Sequence, residues 1–84
     1  MIEKPLVFIE WVDSQVLMGW QYEDVMKPLL PDTCYSVGFL IDNNADYKTL
    51  ACAIGTGQVL ARITIPTGCI HFIKPIDLPT MEIL

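Results

Sequence analysis

Trp11-Val12-Asp13-Ser14, followed shortly by Gly19-Trp20, gathers the densest set of chemically useful side chains in the sequence. Two indoles offer flat faces that could sandwich an aromatic ring, and Asp13 and Ser14 could accept and donate hydrogen bonds at its edge. The same residues also read more plainly. Trp11 is then core, Asp13 and Ser14 cap the following segment, and Trp20 packs over the end of the fold. Trp20 follows a glycine in a connecting segment, where binding residues concentrate. Both readings stand.

Arg62 is the only arginine. Its guanidinium could fork onto a phosphate or carboxylate, with Thr64 on the same strand face two residues on. The plain alternative is a solvated strand face or a pairing with a nearby carboxylate. His71 is the lone histidine and has no second His, no Cys at metal spacing and no serine motif beside it. General-base chemistry needs a partner that orients the imidazole, so a place on the last strand or at an interface fits His71 better. The carboxylates show no acid–base pairing and the glycines form no phosphate loop. The chain therefore reads as a non-enzyme with no cofactor and no metal site.

Charge narrows the ligand. Ten Asp and Glu face five Lys and Arg, giving a net charge of −5. Lys4, Lys27, Lys48, Arg62 and Lys74 are scattered, whereas binding a nucleic-acid polymer needs clustered cations. A nucleic-acid polymer is therefore not expected as a partner, whereas a small anion held by one arginine and backbone amides remains open. Cys34, Cys52 and Cys69 are 18 and 17 residues apart. An odd count without a CxxC pair matches neither a disulfide framework nor zinc, so the thiols read as small hydrophobes in a reducing cytoplasm. MIEKPLVFIEWVD lacks a signal peptide's apolar stretch, and no apolar run approaches the ~20 residues that span a membrane, so no membrane association is expected.

These side chains need elements to hold them. Residues 6–12 alternate, with Val7, Ile9 and Trp11 on one face and Phe8, Glu10 and Val12 on the other. From Cys34 to Ile76 four more short strands follow, at 34–42, 47–54, 59–65 and 69–74, each ended by a turn signal. In the first of them Tyr35, Val37, Phe39 and Ile41 form a strictly alternating apolar set, opposite Cys34, Ser36, Gly38 and Leu40. Gly38 marks sharp bending or a close backbone approach. Between Gly19 and Pro31 the spacing of Trp20, Tyr22, Val25, Met26 and Leu29 predicts one helix of about two turns, or an irregular loop containing one turn, limited by Pro28.

The expected fold is mainly β: one domain over 1–84, a small five-stranded antiparallel SH3-like or Sm-like barrel with one short helical insertion and a tail over 75–84. Apolar residues make up 52% of the 84, a high share for so small a chain, which buries only roughly 60–65% of its surface. A homo-oligomer is therefore expected, with the apolar tail either disordered or docked on a neighbour.

Trp11-x-Asp13-Ser14, Gly19-Trp20, Ser36-Val37-Gly38, Thr49-Leu50-Ala51 and Ile65-Pro66 with Ile70 together resemble a family of small accessory proteins encoded by tailed bacteriophages. The resemblance implies a host-cytosol protein that binds and sequesters a cyclic nucleotide signal and so counters antiviral defence. On that reading Trp11 or Trp20 stacks on the base and Arg62 meets a phosphate. Asp13, Ser14 and Thr64 add polar contacts. The alternative is a protein–protein interaction module that inhibits or recruits a host protein and takes no small ligand.

Overall fold

Alternating apolar and polar side chains, cut by Gly, Asn and Pro, divide the chain into five strands: β1 (Leu6–Asp13), β2 (Asp32–Asn43), β3 (Tyr47–Gly55), β4 (Gln58–Pro66) and β5 (Ile70–Ile76). All neighbours are antiparallel, and the sheet order is β4-β3-β2-β1-β5. The computed structural model describes residues 4–77, so the expectation for the tail falls, from residue 78 onward, outside the described residues. Each expected strand is present, extended by a residue or two at one or both ends.

Among the described residues no ladder joins β4 to β5, so the sheet is not closed. The helical insertion shrinks to a single 3-10 turn, Glu23–Val25. Its capping residue Tyr22 makes no side-chain cap bond, and Pro28 and Pro31 stop propagation. A second 3-10 turn, Thr67–Cys69, forms the corner before β5 and so takes Cys69 out of that strand. Among the described residues no helix is long and apolar enough to cross a membrane.

The core is small. Val7, Ile9, Leu50 and Ile65 cluster at no more than 4% exposure, with Trp11, Leu40, Cys69, Ile70 and Ile73 packed around them. Register explains the membership. Val7 pairs with Gly38, Ile9 with Ser36 and Trp11 with Cys34, and paired residues share a sheet face. The small side of β2 therefore faces the core, while Tyr35 and Val37, from its apolar set, point away and stay 63% and 58% exposed. The alternation itself breaks at Ile41, where the β2–β3 register shifts between Leu40 and Asp42.

Gly38 is small because of a neighbour. A Cβ there would lie 2.9 Å from the Ala51 carbonyl oxygen and 3.1 Å from Leu50 Cβ, so close backbone approach is its use. The β2–β3 turn is organised by Asn44, whose Oδ1 accepts from the backbone N–H of Asp46 (2.9 Å) and Tyr47 (3.0 Å). Lys48 Nζ donates to Asn43 Oδ1 at 2.6 Å and closes the same turn.

Candidate functional site

The six residues singled out from the sequence fall into three separate places. Trp11 lies on the core side of β1, and its Nε1–H donates to Ser36 Oγ at 3.0 Å. The indole thus has packing for its face and a partner for its N–H, as a structural tryptophan requires. Asp13 ends β1 opposite Asp32, and its Oδ1 accepts the Ser14 backbone N–H at 2.8 Å. Asp13 and Ser14 are exposed and initiate the connection to β2. Trp20 stands on that connection at 104% exposure, after Gly19 at φ +105°.

Arg62 and Thr64 lie elsewhere. Arg62 pairs with Ala51, Ala51 with Phe39, and Phe39 with Leu6 at the start of β1. Two strands separate β4 from β1, about 14 Å across the sheet. Asp13 is seven residues beyond Leu6 along β1, about 24 Å of strand. One copy of the chain therefore does not bring Trp20 and Arg62 to a common ligand. Arg62 is exposed and makes no ion pair among the described residues. Thr64 and the buried Thr49 share a hydroxyl–hydroxyl hydrogen bond of 2.8 Å on the same face.

The residue before Arg62 is unusual. Ala61 has φ +52°, the one non-glycine residue with positive φ among those described, and neither it nor Cys52 joins the β3–β4 ladder. An alanine held there costs about 1–2 kcal/mol relative to its ordinary backbone regions.

The dominant surface feature was not singled out from the sequence. Eighteen residues, 14–31, connect β1 to β2 and form an exposed arm. Its large apolar side chains are Val16, Leu17, Met18, Trp20, Tyr22, Val25, Met26, Leu29 and Leu30, and exposure runs from 55% at Leu29 to 104% at Trp20. A shallow open groove on the arm is lined by Leu17, Gly19, Gln21, Glu23, Met26 and Pro28, with Lys27 and Leu29 beside them. Connections this long inside a small domain are usually functional or unstructured. Of the two expected forms the segment takes the irregular loop with a single turn, so Trp20, Tyr22, Val25, Met26 and Leu29 form no helical stripe but an apolar arm without a face to bury, as Pro28 and Pro31 favour.

A second apolar surface crosses the outer face of β2, β1 and β5. The Phe8 ring lies 5.9 Å from Tyr35, nearly parallel at 23°, and 5.9 Å from Phe72 at 32°. Lys74 pairs with Phe8 across β1–β5 and borders this aromatic strip. His71 Nδ1 sits 3.3 Å from Glu10 Oε2 nearby, an ion pair only when the imidazole is protonated. At the foot of the arm, partial burial, then the carboxylates of Asp32 and Asp13, push the Cys34 thiol above its ordinary value. Among the described residues no group of three or more His, Cys, Asp or Glu is placed to hold a metal ion.

Comparisons with protein-family models, with curated proteins and with solved structures return no match to this chain.

Proposed function

We propose that this chain is a non-catalytic protein–protein interaction module whose working surface is the 14–31 arm. One observation carries the reading: nine large apolar side chains of a single connection are each more than half exposed. Monomers rarely keep so many large apolar side chains of one segment in water, and apolar surface concentrated in this way marks contact sites. Tryptophan, tyrosine and methionine, which are enriched at interface centres, supply four of the nine. The resemblance to phage accessory proteins gives the reading its setting, the host cytosol, with a host protein to inhibit or recruit. The test is affinity capture from the lysate of an expressing cell, with the wild type against a variant carrying Leu17→Ser, Trp20→Ser and Leu30→Ser. Loss of specific proteins in the variant is expected. Identical capture profiles would overturn the reading.

Sequestration of a cyclic nucleotide is the second reading, favoured by an exposed Arg62 without an ion pair beside the Thr49–Thr64 hydroxyls. Because Arg62 and Trp20 are far apart in one chain, that site needs an arm from a second copy, with Asp13 and Ser14 at its base. A thermal-shift screen against cyclic nucleotides tests it, since a ligand well above its Kd stabilises the fold by several kcal/mol. On either reading we take the sheet as an SH3-like or Sm-like barrel opened between β4 and β5. The strand order supports this: a β1–β4 meander, with β5 returning beside β1.

A further inference from the structure

Among the described residues, two apolar surfaces on one chain lack partners. One is the arm, a narrow projection; the other is the strip of Phe8, Tyr35 and Phe72, a broad sheet face. The arm does not lie on its own strip, because Tyr35 stays 63% exposed while the arm side chains are exposed as well. Both ends of the arm leave from paired positions, Asp13 and Asp32. It therefore projects as a closed loop from the end of the β1–β2 ribbon, and the molecule extends 64 Å along its long axis.

We propose that the arm of one copy packs on the aromatic strip of a second copy, in a two-fold exchange of arms. The inference rests on the reading above only in taking the arm as a contact surface; it puts a second copy where that reading puts a host protein. Surface area supports a second copy. The chain exposes 7198 Å², against about 5,000 Å² for a compact monomer of 9.5 kDa. The excess of roughly 2,000 Å² per copy, about 4,000 Å² for a pair, falls in the range that obligate dimers bury, about 2,000–5,000 Å² in total. Its radius of gyration, 17.7 Å, exceeds the ~12 Å of a compact domain of this length in the same sense.

Charge gives the contact a direction. The arm's 3-10 turn carries Glu23 and Asp24, and Lys74 borders the strip. An acidic turn set against Lys74 turns part of the repulsion expected between two chains of net charge −5 into an attraction. A two-fold exchange forms this contact twice, because each copy offers one arm and one strip.

Sedimentation velocity on the full chain, from roughly 1 to 100 µM, tests the proposal. The wild type is expected to be a dimer. Trp20→Asp in the arm and Phe72→Asp in the strip are each expected to raise the dimer Kd tenfold or more, with the β-sheet circular dichroism retained. Should Phe72→Asp fail to fold, Lys74→Glu serves instead, and Glu23→Lys added to it is expected to restore part of the lost association. A monomeric wild type overturns the proposal, as does a dimer indifferent to Trp20→Asp, or a Lys74→Glu defect that Glu23→Lys worsens. If the wild type is monomeric while arm-dependent capture of a host protein persists, the exchange is wrong and the interaction-module reading stands. If capture ignores the arm while the dimer depends on it, the host-partner reading fails and the exchange stands.

Discussion

The Trp11 indole N–H donates to Ser36 Oγ at 3.0 Å across the β1–β2 ribbon, with Trp11 packed beside the Val7–Ile9–Leu50–Ile65 cluster. The hydrogen bond ties a large apolar ring to the small-residue face of β2. It commits Trp11 to the fold. Trp11→Phe keeps most of the packing and deletes the bond, so a loss of about 1 kcal/mol is expected by urea denaturation. Trp11→Ala is expected to cost about 3–5 kcal/mol. A Trp11→Ala variant as stable as the wild type would show that the indole is free for another use.

Gly38 faces the β3 backbone, and a methyl group there would meet the Ala51 carbonyl oxygen at 2.9 Å. Gly38→Ala is expected to destabilise the sheet by about 1–3 kcal/mol, the usual range for overpacking. The denaturation midpoint measures it. An unchanged midpoint would mean that β2 and β3 can separate there freely.

Ala61 is the reverse case. Its φ of +52° is a conformation that glycine adopts readily. Ala61→Gly is expected to be neutral or to stabilise by up to ~1 kcal/mol, although most glycine substitutions within strands destabilise. Thermal melts of the two proteins distinguish the outcomes, and a lowered Tm would contradict the strained backbone.

Much of this architecture was legible in the residues. Alternation in β1, the Asn43-Asn44 turn and the Pro66-Thr67-Gly68 corner located the strands, because each rests on local backbone preference. The direction of β2 was not legible. Its larger apolar set, Tyr35 and Val37, points outward, since the close approach at Gly38 and the pairing of Ser36 with Ile9 set the register. Such pairings are non-local, and periodicity alone does not say which of two faces meets the core. The candidate site dispersed for the same reason. Trp20 and Arg62 were joined by chemical suitability, whereas the sheet order puts two strands between β1 and β4.

Cys34 and Cys52 differ in surroundings, which gives a pH-dependent expectation. The Cys34 thiol is half-buried and its ionisation is raised by burial, then by Asp32 and Asp13. Less thiolate is therefore present at neutral pH, and the thiolate is the reactive form. Cys52 is exposed. Iodoacetamide at pH 7 is expected to label Cys52 first, with Cys34 catching up as the pH rises past the ordinary thiol range. Asp32→Asn should speed Cys34 labelling. Equal rates at pH 7, read by peptide mass spectrometry, would contradict the electrostatics at the foot of the arm.

If assembly covers the arm's apolar surface, Trp20 reports on it directly. In a Trp11→Phe background Trp20 is the sole tryptophan, and in the single chain it is fully exposed. Acrylamide quenching of its fluorescence should be followed as the protein concentration rises from nanomolar to tens of micromolar. Strong quenching is expected in dilute solution, falling severalfold as association covers the indole. Strong quenching that stays constant across the whole range would leave Trp20 in water at every concentration and contradict burial of the arm by association.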